Sequence, residues 1–124
     1  MRECHRVLRS GGRMAALVIE TAPDLPPDDL TLAAELGPSD VVSSASLAEL
    51  SERAGFTVQQ AVDVTDGFHS ALLALWEGLR RHERELRRAE GDVEYDYEVG
   101  RRRSMMEAVR RGLIRRTFVV AMKP

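Results

Sequence analysis

The sequence predicts an α/β protein, and three observations predict it. Met14 to Ile19 is an unbroken apolar run between Arg13 and Glu20. A strand without alternation is buried on both faces, the habit of a parallel sheet covered by helices. Phe118 to Met122 is a second run apolar on both faces. Thr57 to Val64 alternates instead, with Val58, Val62 and Val64 on one face and Gln59 and Asp63 on the other. The patterns predict two inner strands and one edge strand, separated by segments of helical period.

Arg2 to Arg9 is too short to be a good isolated helix and makes sense as the tail of one, with Val7 and Leu8 against the sheet. Gly11 and Gly12 supply the positive φ that stops it and turns the chain into the first strand. Residues 21–45 read as a long loop carrying Pro23, Pro26, Pro27 and Pro38, with a short helix over 28–36. A connection of this length in a compact domain is usually functional or mobile. Ser46 and Glu49 form a capping box for a helix running to about Ala54, and Gly55 ends it, letting Phe56 fold back on Leu50.

A helix is predicted over 67–90, with Asp66 as cap and Phe68, Leu72, Leu75, Leu79 and Leu86 as one buried stripe. Glu83 and Arg87 pair along it at i,i+4. A second helix spans about 95–111, with Tyr95, Val99, Met106 and Val109 on a face. Its first turns are acidic and its later ones basic, which suits the macrodipole.

The chain has 124 residues, enough to bury a core, with 18 basic against 20 acidic side chains. That balance gives no electrostatic case for bulk nucleic-acid binding. Arg101–Arg103 and Arg110–Arg116 hold the basic clusters, and they read as solvated helix faces. One cysteine, Cys4, excludes an internal disulfide and fits a reducing compartment. The charged N-terminus does not read as a signal peptide, and no apolar run reaches the ~20 residues of a membrane helix. A soluble, cytoplasmic protein is the expectation. Cys4, His5, His69 and His82 lack metal-ligand spacing, so no metal site is expected.

Arg6 to Arg13, RVLRSGGR, resembles the "RVLRPGG" signature of class I S-adenosylmethionine-dependent methyltransferases of the small-molecule, type-11-like kind. Ser10 stands where that family has Pro. In the family this signature closes the helix before strand five of a seven-stranded sheet. Leu50 to Val58 resembles the helix and strand that follow, and Arg115 to Pro124 the last strand. The resemblance covers most of the chain, but only the carboxyl-terminal half of the family domain. It implies a partial three-layer, Rossmann-like fold in which the final strand lies antiparallel between strands five and six. The units are then a helix–strand joint over 1–20, a loop over 21–45, helix and strand over 46–64, two acceptor-side helices over 66–113 and a last strand over 115–122.

Methyl transfer from a sulfonium needs donor and acceptor held in line more than acid–base chemistry. In the family, S-adenosylmethionine sits on a glycine-rich turn after strand one, with an acidic residue on the ribose. Gly11 and Gly12 match neither feature, so the resemblance implies that this chain by itself lacks the donor site. Acceptor-side candidates remain. Glu20 and Thr21 end a strand where ligands bind in open α/β sheets. Tyr95 and Tyr97 open a helix and can stack on an acceptor. His69 can serve as a base. Two functions follow. One is the carboxyl-terminal part of a small-molecule methyltransferase. The other is a non-catalytic α/β module that pairs with itself or a partner through the strand edge where strand four would lie.

Overall fold

The computed structural model describes residues 1–38 and 45–124. Three strands form one sheet in the order β1 (Arg13–Thr21), β3 (Ile114–Met122), β2 (Thr57–Asp63). Both outer strands run antiparallel to β3, with Leu17 opposite Phe118 on one side and Val62 opposite Phe118 on the other. The last strand is therefore the central one, beside and antiparallel to the first, as expected. Six helices accompany the sheet among the described residues: α1 (Arg2–Val7), α2 (Pro27–Leu36), α3 (Leu47–Arg53), α4 (Thr65–Arg81), α5 (Glu83–Glu90) and α6 (Asp92–Arg110).

The joint from α1 into β1 is tight. Gly11 has φ of 76°, and a Cβ on Gly12 would lie 2.7 Å from the Arg9 carbonyl. Glycine at both positions has a backbone reason. The ladder extends past the turn, since Gly11 N–H donates to the Lys123 carbonyl and Lys123 N–H to that of Gly12. Lys123 Nζ also donates to the carbonyls of His5 and Leu8, at 2.8 Å each. It thereby satisfies acceptors at the end of α1 that the helix leaves open.

Side chains alternate along each strand, so the sheet has two faces. On one face Met14, Ala16 and Val18 meet Val119 and Ala121, and Leu47, Phe56, Val58, Cys4 and Leu8 pack against them. The ring of His5 meets Phe56 edge-on at 5.0 Å. The other face is covered at one end only. There Ile114 and Ile19 join Ala33, Phe68, Leu72, Met105, Ala108 and Leu113, the core shared by α2, α4 and α6. The Arg116 guanidinium lies 4.9 Å from the centre of the Phe68 ring.

Several sequence expectations change here. β1 is not buried on both faces: Leu17 is 48% exposed, because no described helix reaches that part of the second face. A bulge between Val58 and Gln60 shifts the β2 register. Val58 consequently opposes Ala121 and Val62 opposes Phe118, so the two valines face opposite ways. The helix expected over 67–90 bends at His82 into α4 and α5. On α4 Phe68 and Leu72 are buried and Trp76 and Leu79 half-buried along one side, and Leu75 faces solvent at 45% exposure. Spacing from Leu72 by four instead of three places Trp76 on the packed side. Asp66 does not cap α4: its N-cap is Val64, which makes no side-chain cap bond, and Asp63, just before it, accepts from Thr65 N–H at 2.8 Å. α6 starts at Asp92, and Met105 and Ala108 join Tyr95 as its buried residues.

The capping box is as expected. Ser46 Oγ accepts from Glu49 N–H at 3.2 Å, and the Glu49 carboxylate accepts from Ser46 N–H at 2.7 Å. That N–H and the Ser46 hydroxyl, which donates to the same carboxylate oxygen at 3.0 Å, hold the Glu49 carboxyl below its ordinary value of 4.5.

Candidate functional site

The structure distributes the five candidate residues over three places. Glu20 and Thr21 end β1, both buried. Glu20 Oε2 accepts from Leu47 N–H at 2.8 Å. Its Oε1 accepts from Thr117 Oγ1 at 2.6 Å and from Arg115 Nε at 3.1 Å. One carboxylate thus joins β1, β3 and the first turn of α3, where the open N–H groups and helix dipole favour an anion. Both of its oxygens are engaged within the protein. Beside it a hollow of about 270 Å³ is lined by Thr21, Asp24, Ser46, Glu49 and Arg115.

Tyr95 lies in the core, 3% exposed. Its hydroxyl donates to the Leu79 carbonyl at 3.1 Å, and the Arg87 guanidinium sits 4.4 Å from its ring centre. Arg87 is held in turn by Glu83 at 2.8 Å, Asp92 at 3.1 Å and Asp96 at 2.6 Å. The three carboxylates, Asp96 foremost, push the guanidinium pKa up. Tyr95 and Arg87 thereby clamp α4, α5 and α6 together.

Tyr97, two residues along the same helix, points outward at 60% exposure. It lines an open hollow of about 450 Å³ between the end of α2 and α6, together with Glu35, Leu36, Gly100, Arg101 and Ser104. His69 lines a neighbouring hollow of about 710 Å³ with Leu36, Gly100, Arg103, Ser104 and Met106. The two hollows share Leu36, Gly100 and Ser104. Tyr97 and His69 therefore open on one continuous groove along α6, and Glu20, Thr21 and Tyr95 stand apart from it.

Glu107 and Arg110 form one wall of the larger hollow. The Glu107 carboxylate accepts from Arg110 and Arg111, at 2.7 Å each, and these bonds lower its pKa to about 2. Arg103 makes no ion pair or hydrogen bond among the described residues. Sequence reasoning missed Gly100, Arg103 and Ser104. The legible signal was a glycine standing inside a helical pattern without a capping role. Among the described residues no three metal-ligating side chains converge, and no helix is long and apolar enough to cross a membrane.

The chain's strand order, with the last strand central and antiparallel to both neighbours, recurs in solved structures of known proteins. The fold is that of a class I S-adenosylmethionine-dependent methyltransferase, in part. One similar solved structure is phosphoethanolamine N-methyltransferase 2 of Haemonchus contortus, in complex with phosphomonomethylethanolamine and S-adenosylhomocysteine. It matches 99% of this chain at a TM-score of 0.79 and 17% identity. A Galdieria sulphuraria protein assigned as a sarcosine dimethylglycine methyltransferase matches 98% at 0.81 and 16% identity. A cyclopropane synthase of Mycobacterium tuberculosis matches 98% at 0.75 and 16% identity. The chain spans 29%, 45% and 48% of those three proteins respectively. No protein-family model and no curated protein matches the sequence.

Proposed function

We propose that this chain is the carboxyl-terminal part of a small-molecule methyltransferase domain, contributing the acceptor side and lacking the S-adenosylmethionine site. The observation that carries the reading is the strand order β1-β3-β2 with β3 antiparallel, matched over nearly the whole chain to methyltransferases more than twice as long. The Gly11–Gly12 turn precedes β1, whereas a donor-binding turn follows a strand and opens a helix. The end of β1 leads into Pro23 and Asp24, with no glycine-rich turn. A donor losing several contacts at about 1–2 kcal/mol each loses several powers of ten in affinity. The groove holding Tyr97 and His69 is the acceptor side on this reading. Glu20 serves that side indirectly, by fixing the end of β1 against α3. A single half-buried cysteine suits a cytoplasmic setting.

Calorimetric titration of the purified chain with S-adenosylmethionine tests the reading. No binding is expected in the low micromolar range. A low-micromolar dissociation constant would place the donor site within these 124 residues and overturn the alignment of Arg6 to Gly12 with strand five.

A second reading, a non-catalytic module that associates through its sheet, is favoured by the outer edge of β1. From Met14 to Ile19 that strand carries no Pro, no charge and no bulge, the devices that blunt an edge. The opposite edge, β2, is bulged and carries Gln59, Gln60 and Asp63. Edge pairing of two copies through β1 is the form of association proposed.

A further inference from the structure

The groove along α6 carries a feature that the fold does not require. Gly100 lies inside α6, eight residues after Asp92 and ten before Arg110. A Cβ placed on it meets no atom within 4 Å, and its φ is not positive. Neither packing nor backbone conformation calls for glycine there, and in a helix interior glycine is unfavourable relative to alanine. The consequence of the missing side chain is bare helix backbone where the two hollows meet. Gly78 in α4 has the same empty space above it and lines neither hollow.

The charges of the groove are unevenly committed. Arg110 is bound to Glu107, and Arg101 lies 3.8 Å from Glu98. Asp96 is bound to Arg87. Glu107 already accepts from two arginines. Arg103, in the larger hollow, has no carboxylate partner among the described residues. Glu35, which also has no ion pair among the described residues, lines the smaller hollow, not the larger. Half-buried Leu36 and Met106 give the larger hollow an apolar wall, and Ser104 gives it a hydroxyl.

We infer that this groove binds a small organic anion carrying a short apolar chain. The acid group pairs with the Arg103 guanidinium, a fork that suits a carboxylate or phosphate. The chain crosses the bare backbone at Gly100 and lies against Leu36 and Met106. The role of such a ligand as methyl acceptor rests on the function proposed above; its binding does not, and is measured without a donor.

The test is an NMR titration of the chain, following backbone amides, with three probes of one chain length: octanoate, octylammonium and octanol. Octanoate is expected to shift the amides of Gly100, Ser104 and His69 and to bind about ten-fold more tightly than octylammonium. Arg103→Gln should bring octanoate down to the affinity of octanol. Gly100→Leu should abolish binding of all three, and Gly78→Ala should leave it unchanged. Gly100→Ala guards against a folding artefact: it should raise Tm through helix propensity and still weaken octanoate. Equal affinity for octanoate and octylammonium, an unaffected Gly100→Leu variant, or shifts confined to Leu17 and Phe118 would overturn the inference. Tight S-adenosylmethionine binding would sink the donor-site reading and leave this result standing, so the two failures are distinguishable.

Discussion

The two faces of the sheet are built by the same three strands and differ in what covers them. On one face Val119 and Ala121 are fully enclosed, with α1 and α3 laid across them. On the other, the row Leu17–Phe118–Val62 crosses all three strands, and its two outer members are 48% and 39% exposed. Only the end near Ile114 is roofed, by α2, α4 and α6. Apolar content does not separate the faces; the presence of an overlying helix does. A buried apolar side chain is worth about 1.5–3 kcal/mol over an exposed one, so the closed face and the roofed end near Ile114 hold this chain together, and the bare row contributes little to it.

The comparison breaks most easily at Phe56, which is 4% exposed. Phe56→Ala should cost about 3–5 kcal/mol in urea unfolding. Leu17→Ala, on the open face, should cost under about 1 kcal/mol. Equal losses would show that the second face is covered in solution.

Glu20→Ala comes next. It leaves the Leu47 N–H, the Thr117 hydroxyl and the Arg115 guanidinium without their acceptor. A loss of about 2–4 kcal/mol is expected. Retention of full stability would show that Glu20 does not bind the two sides of the closed face together.

Ser46→Ala should cost about 1 kcal/mol through loss of the α3 cap. Its pH dependence follows from Glu49, whose folded pKa is depressed. The Glu49 contribution is present above its ordinary value of 4.5 and lost as pH falls through the folded value. The difference between wild type and Ser46→Ala should therefore shrink below about pH 4.5. A difference constant down to pH 2 would assign the stabilisation to the serine hydroxyl alone.

The smallest change in stability, within about 0.5 kcal/mol, is expected from Leu17→Lys. The same substitution puts a charge beside the β1 edge and should move sedimentation at tens of micromolar toward monomer. A wild-type chain already monomeric under those conditions would remove the case for pairing through β1.

Much of this was legible in sequence, for identifiable reasons. Ser46 and Glu49 read correctly because a capping box is settled within four residues. Phe118 to Met122 read as interior because β3 has a strand on each side and its residues carry both faces. Thr57 to Val64 read as an edge for its polar positions, yet the bulge at Gln59 was invisible and reversed the facing of Val62 against Val58. Glu20 and Tyr95 stood out as candidate ligand contacts because polar groups at element ends commonly are. Their partners, Thr117 at 97 residues' separation and Leu79 at 16, lie beyond any local pattern.

By itself the sequence determined what short-range rules control: the helix caps, the glycine joint before β1, the strand periods and the resemblance that set the strand order. Tertiary structure alone decided which candidates share a site. Tyr97 and His69 meet on one groove because α2 and α4 pack on α6, and Tyr95 turns inward because it lies two residues from Tyr97, roughly 200° around the helix. It also decided that an apolar strand has one bare face, since coverage depends on what packs over a strand and not on the strand's own composition.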